Sequence, residues 1–399
     1  MTKGQATPVT KHWKAIWESD EEGMRGLLQA VVQEVLEAEM TEALQAGRSE
    51  RTDARLGYRS GHYERRLVTR VGVLELRVPQ DRAGRFSTAL FERYQRSEKA
   101  LVASLAEMYV QGVSTRKVKA ITEELCGHGF SASTISEATA RLDGALKEFA
   151  ERRLAEPYPY LILDARYERV REGGVITSQA VLVAIGVDWE GRRQVLGVEM
   201  ANRESRSSWR AFLVGLKGRG LHGMEFVVSD DHAGLKAAIR EILPEAAWQR
   251  CYVHFLRNAL DYVPRRVDDD CLMELRWFYD RRDLAEVRRD LAQWLAKWQG
   301  KYPKLTDWVE ANVEETLTFY RLPLAHHKHM KSTNMLERLN QELKRRTLVV
   351  RIFPNAASCL RLVRALAVEM HEGWLEATRY LNMEHLRERK KELLRAIAA

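Results

Sequence analysis

Two short runs, Tyr160-Leu161-Ile162-Leu163 and Phe226-Val227-Val228-Ser229, each lead directly into an aspartate, Asp164 and Asp230. Near-continuous apolar runs of this length, each ending in an acid, fit buried strands. The flanking segments supply their neighbours. Ser178–Val187 predicts a longer apolar strand, and Asp188–Gly191 a turn into a third strand over Gln194–Met200. Ser208–Leu216 predicts a helix. Gly234–Leu243 predicts another after the Phe226 strand, and Ala247–Tyr252 a last short strand.

Three meandering strands, a helix, a strand, a helix and a strand follow the order of a ribonuclease-H-like mixed sheet. We therefore expect an α/β fold with such a core. Asp164 is read as the end of the first strand and Asp230 as the end of its neighbour. Two carboxylates side by side repel one another, and a divalent cation relieves that repulsion. Glu337, on a helix expected over Asn334–Thr347, is a third candidate. Three such acids can hold two Mg²⁺ or Mn²⁺ ions and support in-line phosphoryl transfer. Each also has a plainer reading: the aspartates as strand-end caps, and Glu337 as the partner of Asn334 in a capping box. Asp231 competes with Asp230, but it already faces the turn to His232-Ala233-Gly234.

The first 150 residues are built differently. Gly26–Ala46 sets Leu27, Leu28, Val31, Val32, Val35, Leu36, Met40 and Leu44 at helical spacing and stops at Gly47. From Arg48 to Arg96, twelve arginines (Arg70, Arg93 and Arg96 among them) face six acids and no lysine. Within that stretch Leu67–Val78 alternates around Gly72 like a small hairpin. The arginines either solvate a surface or fork onto phosphate oxygens; the absence of lysine favours the second. Candidate DNA contacts are Arg48, Arg51, Arg55, Arg59, Arg65 and Arg66. Next come three short helices: Glu98–Val110, Thr115–Cys126 closing at Gly127, and one capped by Ser131 or Ser133. They outline either a helix-turn-helix, with Arg116 and Lys117 toward DNA, or a plain packing unit. Lys+Arg exceed Asp+Glu by 64 to 56, a net charge of +8 that suits a polyanionic partner.

Asp268–Leu317 shows helical pattern only, with Trp294, Trp298 and Trp308 on its apolar faces, and is read as an all-helical insertion. The link after it, with His326, His327 and His329 among Lys328 and Lys331, is read as a basic surface. Helices are expected over Pro354–Met370 and from Glu384. Lys344, Arg345, Arg346 and Arg351 either touch DNA phosphates or solvate a helix face. The expected organisation is a helical segment (1–47), an arginine-rich hairpin segment (48–96) and a helix-turn-helix domain (97–155), followed by the catalytic core. That core is expected in two stretches, 156–264 and 332–399 with the terminal helices, separated by the insertion (265–331). The acidic start and the lack of a long apolar run lead us to expect a cytoplasmic chain with no membrane partner. Four dispersed cysteines argue against a disulfide framework.

Four motifs in order carry a resemblance: Leu163-Asp164-Ala165, Ser229-Asp230-Asp231-His232-Ala233-Gly234-Leu235-Lys236, Trp248-Gln249-Arg250-Cys251-Tyr252-Val253-His254, and Ser332-Thr333-Asn334-Met335-Leu336-Glu337-Arg338-Leu339-Asn340. From about Leu27 to Trp374 the sequence resembles Mutator-like transposases of bacterial insertion sequences. The resemblance implies an Asp-Asp-Glu recombinase whose triad is Asp164, Asp230 and Glu337. It also implies a Cys-x-x-His element, Cys251 and His254, and a dimer that joins terminal inverted repeats to target DNA by a copy-out, paste-in route near the nucleoid. Zinc demands four ligands, so Cys251 and His254 are read instead as packing beneath the acids. Two rivals are open: a nuclease of the same fold that cuts without joining, and a non-catalytic DNA-binding regulator.

Overall fold

The structure is a computed structural model that describes residues 21–69, 71–91, 99–111, 113–126, 129–264, 270–348 and 350–398. Expectations resting on Arg70, Arg93, Arg96, Gly127 and the start of the insertion at 265–269 lie outside the described residues. Two compact units divide the chain, Met1–Arg141 and Leu142–Ala399.

In the first unit, helix α1 (Glu21–Leu44) packs on an antiparallel hairpin of β1 (Arg59–Thr69) and β2 (Gly72–Asp81). The helix ends before Gly47 because Gln45 already takes a left-handed φ of 49°. Alternate residues Leu74, Leu76 and Val78 of β2 turn inward and bury Leu36, Leu67 and Phe91. Gln33 brackets the Arg77 backbone, donating from Nε2 to its carbonyl at 2.7 Å and accepting its N–H at 2.9 Å. Three short helices follow: α2 (Lys99–Val110), α3 (Thr115–Cys126) and α4 (Ala132–Ala140). They close on Leu101, Leu105, Val118, Phe130 and Ile135. Ser131 caps α4 by accepting the Thr134 N–H at 3.1 Å.

The second unit begins with α5 (Asp143–Glu151) and centres on a five-stranded sheet: β3 (Tyr160–Glu172), β4 (Val175–Val187), β5 (Arg193–Ala201), β6 (Phe226–Ser229) and β7 (Ala247–Arg250). The spatial order is β5-β4-β3-β6-β7. The first three strands are antiparallel neighbours, and β6 and β7 join parallel to β3 and to one another. One face carries α6 (Arg206–Gly218) and α7 (Ala233–Ile242), burying Leu161, Leu163, Leu182, Trp209, Leu213, Leu235 and Ile239. The other meets two helices from late in the chain, over Asn334–Thr347 and Ala356–Glu376.

Asp164 does not end its strand, as the sequence had suggested. The strand runs on to Glu172. The polar residues beyond Asp164 find partners on the Asn334–Thr347 helix laid along them, so they need not return to solvent.

After β7 come α8 (Tyr252–Ala259), α9 (Asp270–Trp277), α10 (Leu284–Trp298), α11 (Pro303–Asn312) and α12 (Leu324–Met330). Trp294 and Trp298 are buried, and Trp308 stacks between Phe255 (4.7 Å) and Tyr262 (5.1 Å). This helical stretch is tied to the sheet by polar bonds. Gln249 on β7 donates to the Thr316 carbonyl at 2.7 Å and accepts the Phe319 N–H at 2.8 Å. The buried Arg250 guanidinium meets Asn312 Oδ1 at 3.3 Å. The chain then returns through α13 (Asn334–Thr347), α14 (Ala356–Glu376) and α15 (Glu384–Ala398). Between α13 and α14, Phe353 pairs with the far end of β3, accepting from Arg171 N and donating to Arg169 O.

The histidine link is corrected. His326 and His327 are buried, not a basic surface. His326 Nδ1 meets the Tyr160 hydroxyl at 2.7 Å, and His327 Nε2 meets the Leu322 carbonyl at 2.9 Å. Desolvation holds both imidazoles below their ordinary range, so they are neutral at pH 7. Lys331 is engaged by Asp280 at 2.8 Å.

Candidate active site

The parallel register of β3 and β6 pairs Tyr160 with Phe226 and Ile162 with Val228. Beyond the last of these pairs β3 runs on through Asp164, while Asp230 is the first residue past β6, near enough to Asp164 to act on its carboxyl. Asp164 is buried. Its Oδ1 accepts its neighbour Ala165's N–H at 2.9 Å and its Oδ2 accepts Asn340 Nδ2 at 2.9 Å. Burial pushes the Asp164 carboxyl up to about 7; His254 pulls against that rise and Asp230 adds to it. Asp230 Oδ1 takes the His232 N–H at 3.3 Å. Its competitor Asp231 is committed elsewhere, to Arg250 at 2.9 Å and Lys236 at 3.6 Å.

Glu337 lies in the first turn of α13, and Arg257 Nη2 stands 3.8 Å away. The N-cap of that helix is Thr333 rather than Asn334, and it makes no side-chain capping bond, so the capping box does not form. Asn340, three residues on, shares a helix face with Glu337, and Asn340 is the residue bonded to Asp164. Helix α13 is held on β3 at further points. Arg166 donates to the Asn340 carbonyl at 2.6 Å and pairs with Glu168 at 2.5 Å, and Thr347 donates to Glu168 at 3.1 Å. These contacts hold the Asn340 side of α13 against β3.

Cys251 is buried between the end of β6 and the start of α13. Its N–H donates to the Ser229 carbonyl at 2.7 Å, and its Sγ accepts from Thr333 N and Oγ1, both at 3.4 Å. The end of β6 is thereby fastened to the start of α13. Burial alone would raise the Cys251 thiol, but His254 and Thr333 outweigh it and hold the thiol below its ordinary value. His254 is raised to about 9, chiefly by the neighbouring Cys251 thiol, with Asp164 and Asp230 contributing. A protonated imidazole at neutral pH therefore stands beside the aspartates.

Sequence reasoning missed Asn340, Arg166 and Glu204. Glu204 precedes the α6 cap Ser205, accepts Trp209 Nε1 at 3.0 Å and lies 3.5 Å from His232 Nδ1. Burial raises its carboxyl, and Asp230 adds to the rise. Gly234 allows this corner to close, since a Cβ there would meet Arg206 N at 2.5 Å. Asn340 had a signal, its three-residue spacing from Glu337; Glu204 had none.

Among the described residues no group of three or more His, Cys, Asp and Glu side chains is gathered for a metal ion. The donor chemistry of the acid pair nonetheless suits a hard divalent cation, because Asp164 is desolvated next to a second carboxylate.

A family model for the Mutator family of transposases matches residues 1–377. The chain belongs to that family. It is 70% identical over 398 residues to the transposase for insertion sequence element ISRM5 of Rhizobium meliloti (strain 1021), covering 100% of both chains. The transposase for element IS406 of Burkholderia multivorans is 41% identical over 381 residues, covering 95% of this chain and 98% of that one. The transposase for IS256 in transposon Tn4001 of Staphylococcus aureus is 41% identical over 364 residues, 90% and 93% of the two chains. A solved simian T-cell lymphotropic virus intasome, in complex with PP2A regulatory subunit B56 gamma, covers 43% of this chain and 69% of its own. At 12% identity and a TM-score of 0.18, that overlap assigns no fold.

The basic residues of this family member divide into those engaged within the chain and those left exposed. Arg59 pairs with Glu37 at 2.5 Å and reaches Thr41 at 2.7 Å, Arg55 donates to the Glu50 and Gly57 carbonyls, and Arg65 lies over Phe91. Arg66 faces Glu75 at 3.6 Å with both side chains exposed. Arg48, Arg51, Arg116 and Lys117 are exposed. Arg346 is buried against Glu369 at 3.0 Å, Arg345 pairs with Glu342 at 2.8 Å, and Lys344 is exposed. No helix among the described residues is long and apolar enough to cross a membrane.

Proposed function

We propose that this chain is a DNA transposase of the Asp-Asp-Glu type, with a ribonuclease-H-like core in its second unit. The observation that carries the reading is the neighbouring pair Asp164 on β3 and Asp230 just past β6, with the helix that bears Glu337 bonded to Asp164 through Asn340. Asp164, Asp230 and Glu337 would hold two Mg²⁺ or Mn²⁺ ions. Bound there, the metal supplies a Lewis acid for the scissile phosphate and lowers the pKa of an attacking hydroxyl. The protein's own contribution is positional. Asn340 and the Ala165 N–H fix both oxygens of Asp164, the Arg250–Asp231 pair anchors the turn beside Asp230, and the protonated His254 offsets the negative charge of the pair before a metal enters.

In the first unit, α2–α4 act as a helix-turn-helix on the terminal inverted repeats, and the exposed Arg48, Arg51, Arg116 and Lys117 touch phosphates. The chain works as a homodimer in the cytoplasm, at the nucleoid, by a copy-out, paste-in route. The test is to incubate pre-cleaved terminal-repeat DNA with the protein and Mg²⁺. A 3′-hydroxyl joined to another duplex or strand supports the transposase; release of short fragments without joining leaves the nuclease, and binding without nicking leaves the regulator.

A further inference from the structure

Beyond Tyr167 and its partner Ala180, where β5 ends, β3 and β4 continue as a hairpin that turns through Gly173 and Gly174, both at positive φ. Its two faces differ in chemistry. Arg166, Glu168, Val170 and Gln179 lie on the face toward α13 and are buried or half-buried, with their charges paired internally. The opposite face carries Tyr167, Arg169 and Arg171 on β3, set against Ala180, Ser178 and Ile176 on β4. Tyr167 is 50% exposed, Ile176 48%, and both arginines are exposed. No acid of either strand stands on this face, and neither Arg169 nor Arg171 forms an ion pair among the described residues.

Elsewhere in this unit arginines near the sheet have partners: Arg364 with Glu199, Arg361 with Asp143, Arg346 with Glu369. Two unpaired guanidinium groups on alternate residues of one strand stand about 7 Å apart and repel each other. A polyanion removes that cost. The spacing equals about two base-pair rises of 3.4 Å, and the small, exposed Ser178 opposite Arg169 leaves the arginine end of the face open. Five to seven residues of strand separate Asp164 from these arginines, about 17–23 Å along one rigid element.

We infer that this hairpin face is a DNA-backbone surface of the second unit, gripping duplex phosphates about half to two-thirds of a helical turn from the carboxylate site. The inference rests on the transposase reading for the identity of the polyanion. It adds a contact made by the strand that carries Asp164 itself, separate from the basic residues of the first unit.

The test uses the full-length chain, EDTA to silence cleavage, and a 30-base-pair random-sequence duplex followed by fluorescence anisotropy from 50 to 200 mM salt. Counterion release predicts that Arg169→Ala with Arg171→Ala lowers the slope of log K against log salt by about 1.8, near 0.9 per lost phosphate contact. Arg169→Lys with Arg171→Lys should restore most of the slope, and neither pair should change the melting temperature. An unchanged slope in the folded double-alanine protein overturns the inference while leaving the transposase reading intact. So does a lower sedimenting mass with unchanged slope, which would assign the face to a second copy of the chain. A wild-type chain that binds no duplex at low salt would overturn the transposase reading as well.

Discussion

Replacing Asp164 by Asn should make the protein more stable while abolishing cleavage. The folded state holds this carboxyl near 7, against 3.8 for the free side chain. A shift of about three units corresponds to about 4 kcal/mol of folding free energy. The sign follows from which state releases its proton first. Below pH 4 both states are protonated and the residue costs nothing. Between 4 and 7 the unfolded chain ionises while the folded chain stays protonated, so stability falls as pH rises, and above 7 the full penalty applies. An amide escapes it. Its oxygen can still accept the Ala165 N–H, and its NH₂ can donate to the buried Oδ1 of Asn340, which has no partner among the described residues, once that amide turns over. Differential scanning calorimetry at pH 8 without divalent metal should show the variant melting about 8 °C higher, with the gap closing toward pH 4. Millimolar Mg²⁺ should raise the wild-type melting temperature and leave the variant unmoved. A variant less stable at pH 8, or one stabilised by Mg²⁺ as much as wild type, would refute the account of Asp164 as a strained metal ligand.

Asp230→Asn and Glu337→Gln should each abolish nicking of end DNA with binding retained. Asp231→Asn should instead cost about 3 kcal/mol in denaturant titrations, because it strips the buried Arg250 of its carboxylate, and nicking per folded molecule should persist. His254→Ala removes the cation that lowers the Asp164 carboxyl, so the pH at which Mg²⁺ begins to raise the melting temperature should move upward. Changing Arg48, Arg51, Arg116 and Lys117 together to Ala should reduce the salt slope of DNA binding, whereas Arg59→Ala should lower stability by about 1–3 kcal/mol through loss of the Glu37 and Thr41 contacts.

The apolar runs before Asp164 and Asp230 made the two central strands legible, because only a sheet covered on both faces accommodates them. Asn334–Thr347 was equally legible from its inward leucines and is α13 as read. The extension of β3 to Glu172 was hidden, since Arg166 and Glu168 look like a solvated strand end until Thr347 and the Asn340 carbonyl, far along the chain, are brought against them. The buried histidines misled for a related reason. Composition gives them charge, while their acceptors and donors are the Tyr160 hydroxyl and backbone carbonyls that no local pattern reveals. Glu204 escaped because its neighbours, Trp209 and His232, come from two different helix starts.

The polar ties from β7 into the helical stretch have a bearing on how such chains can be recombined. Gln249 commits both ends of its amide to Thr316 and Phe319, and Arg250 divides its guanidinium between Asp231 and Asn312. Excising residues 270–321 would strip the buried Gln249 amide of its Thr316 and Phe319 partners and Arg250 of Asn312, a cost of several kcal/mol on top of the lost aromatic stack around Trp308. The helices therefore cannot be traded between relatives like a cassette. A chimera would have to carry Asp231, Gln249, Arg250 and Phe255 along with the transplanted segment, and one that moved the helices alone should aggregate before it ever met DNA.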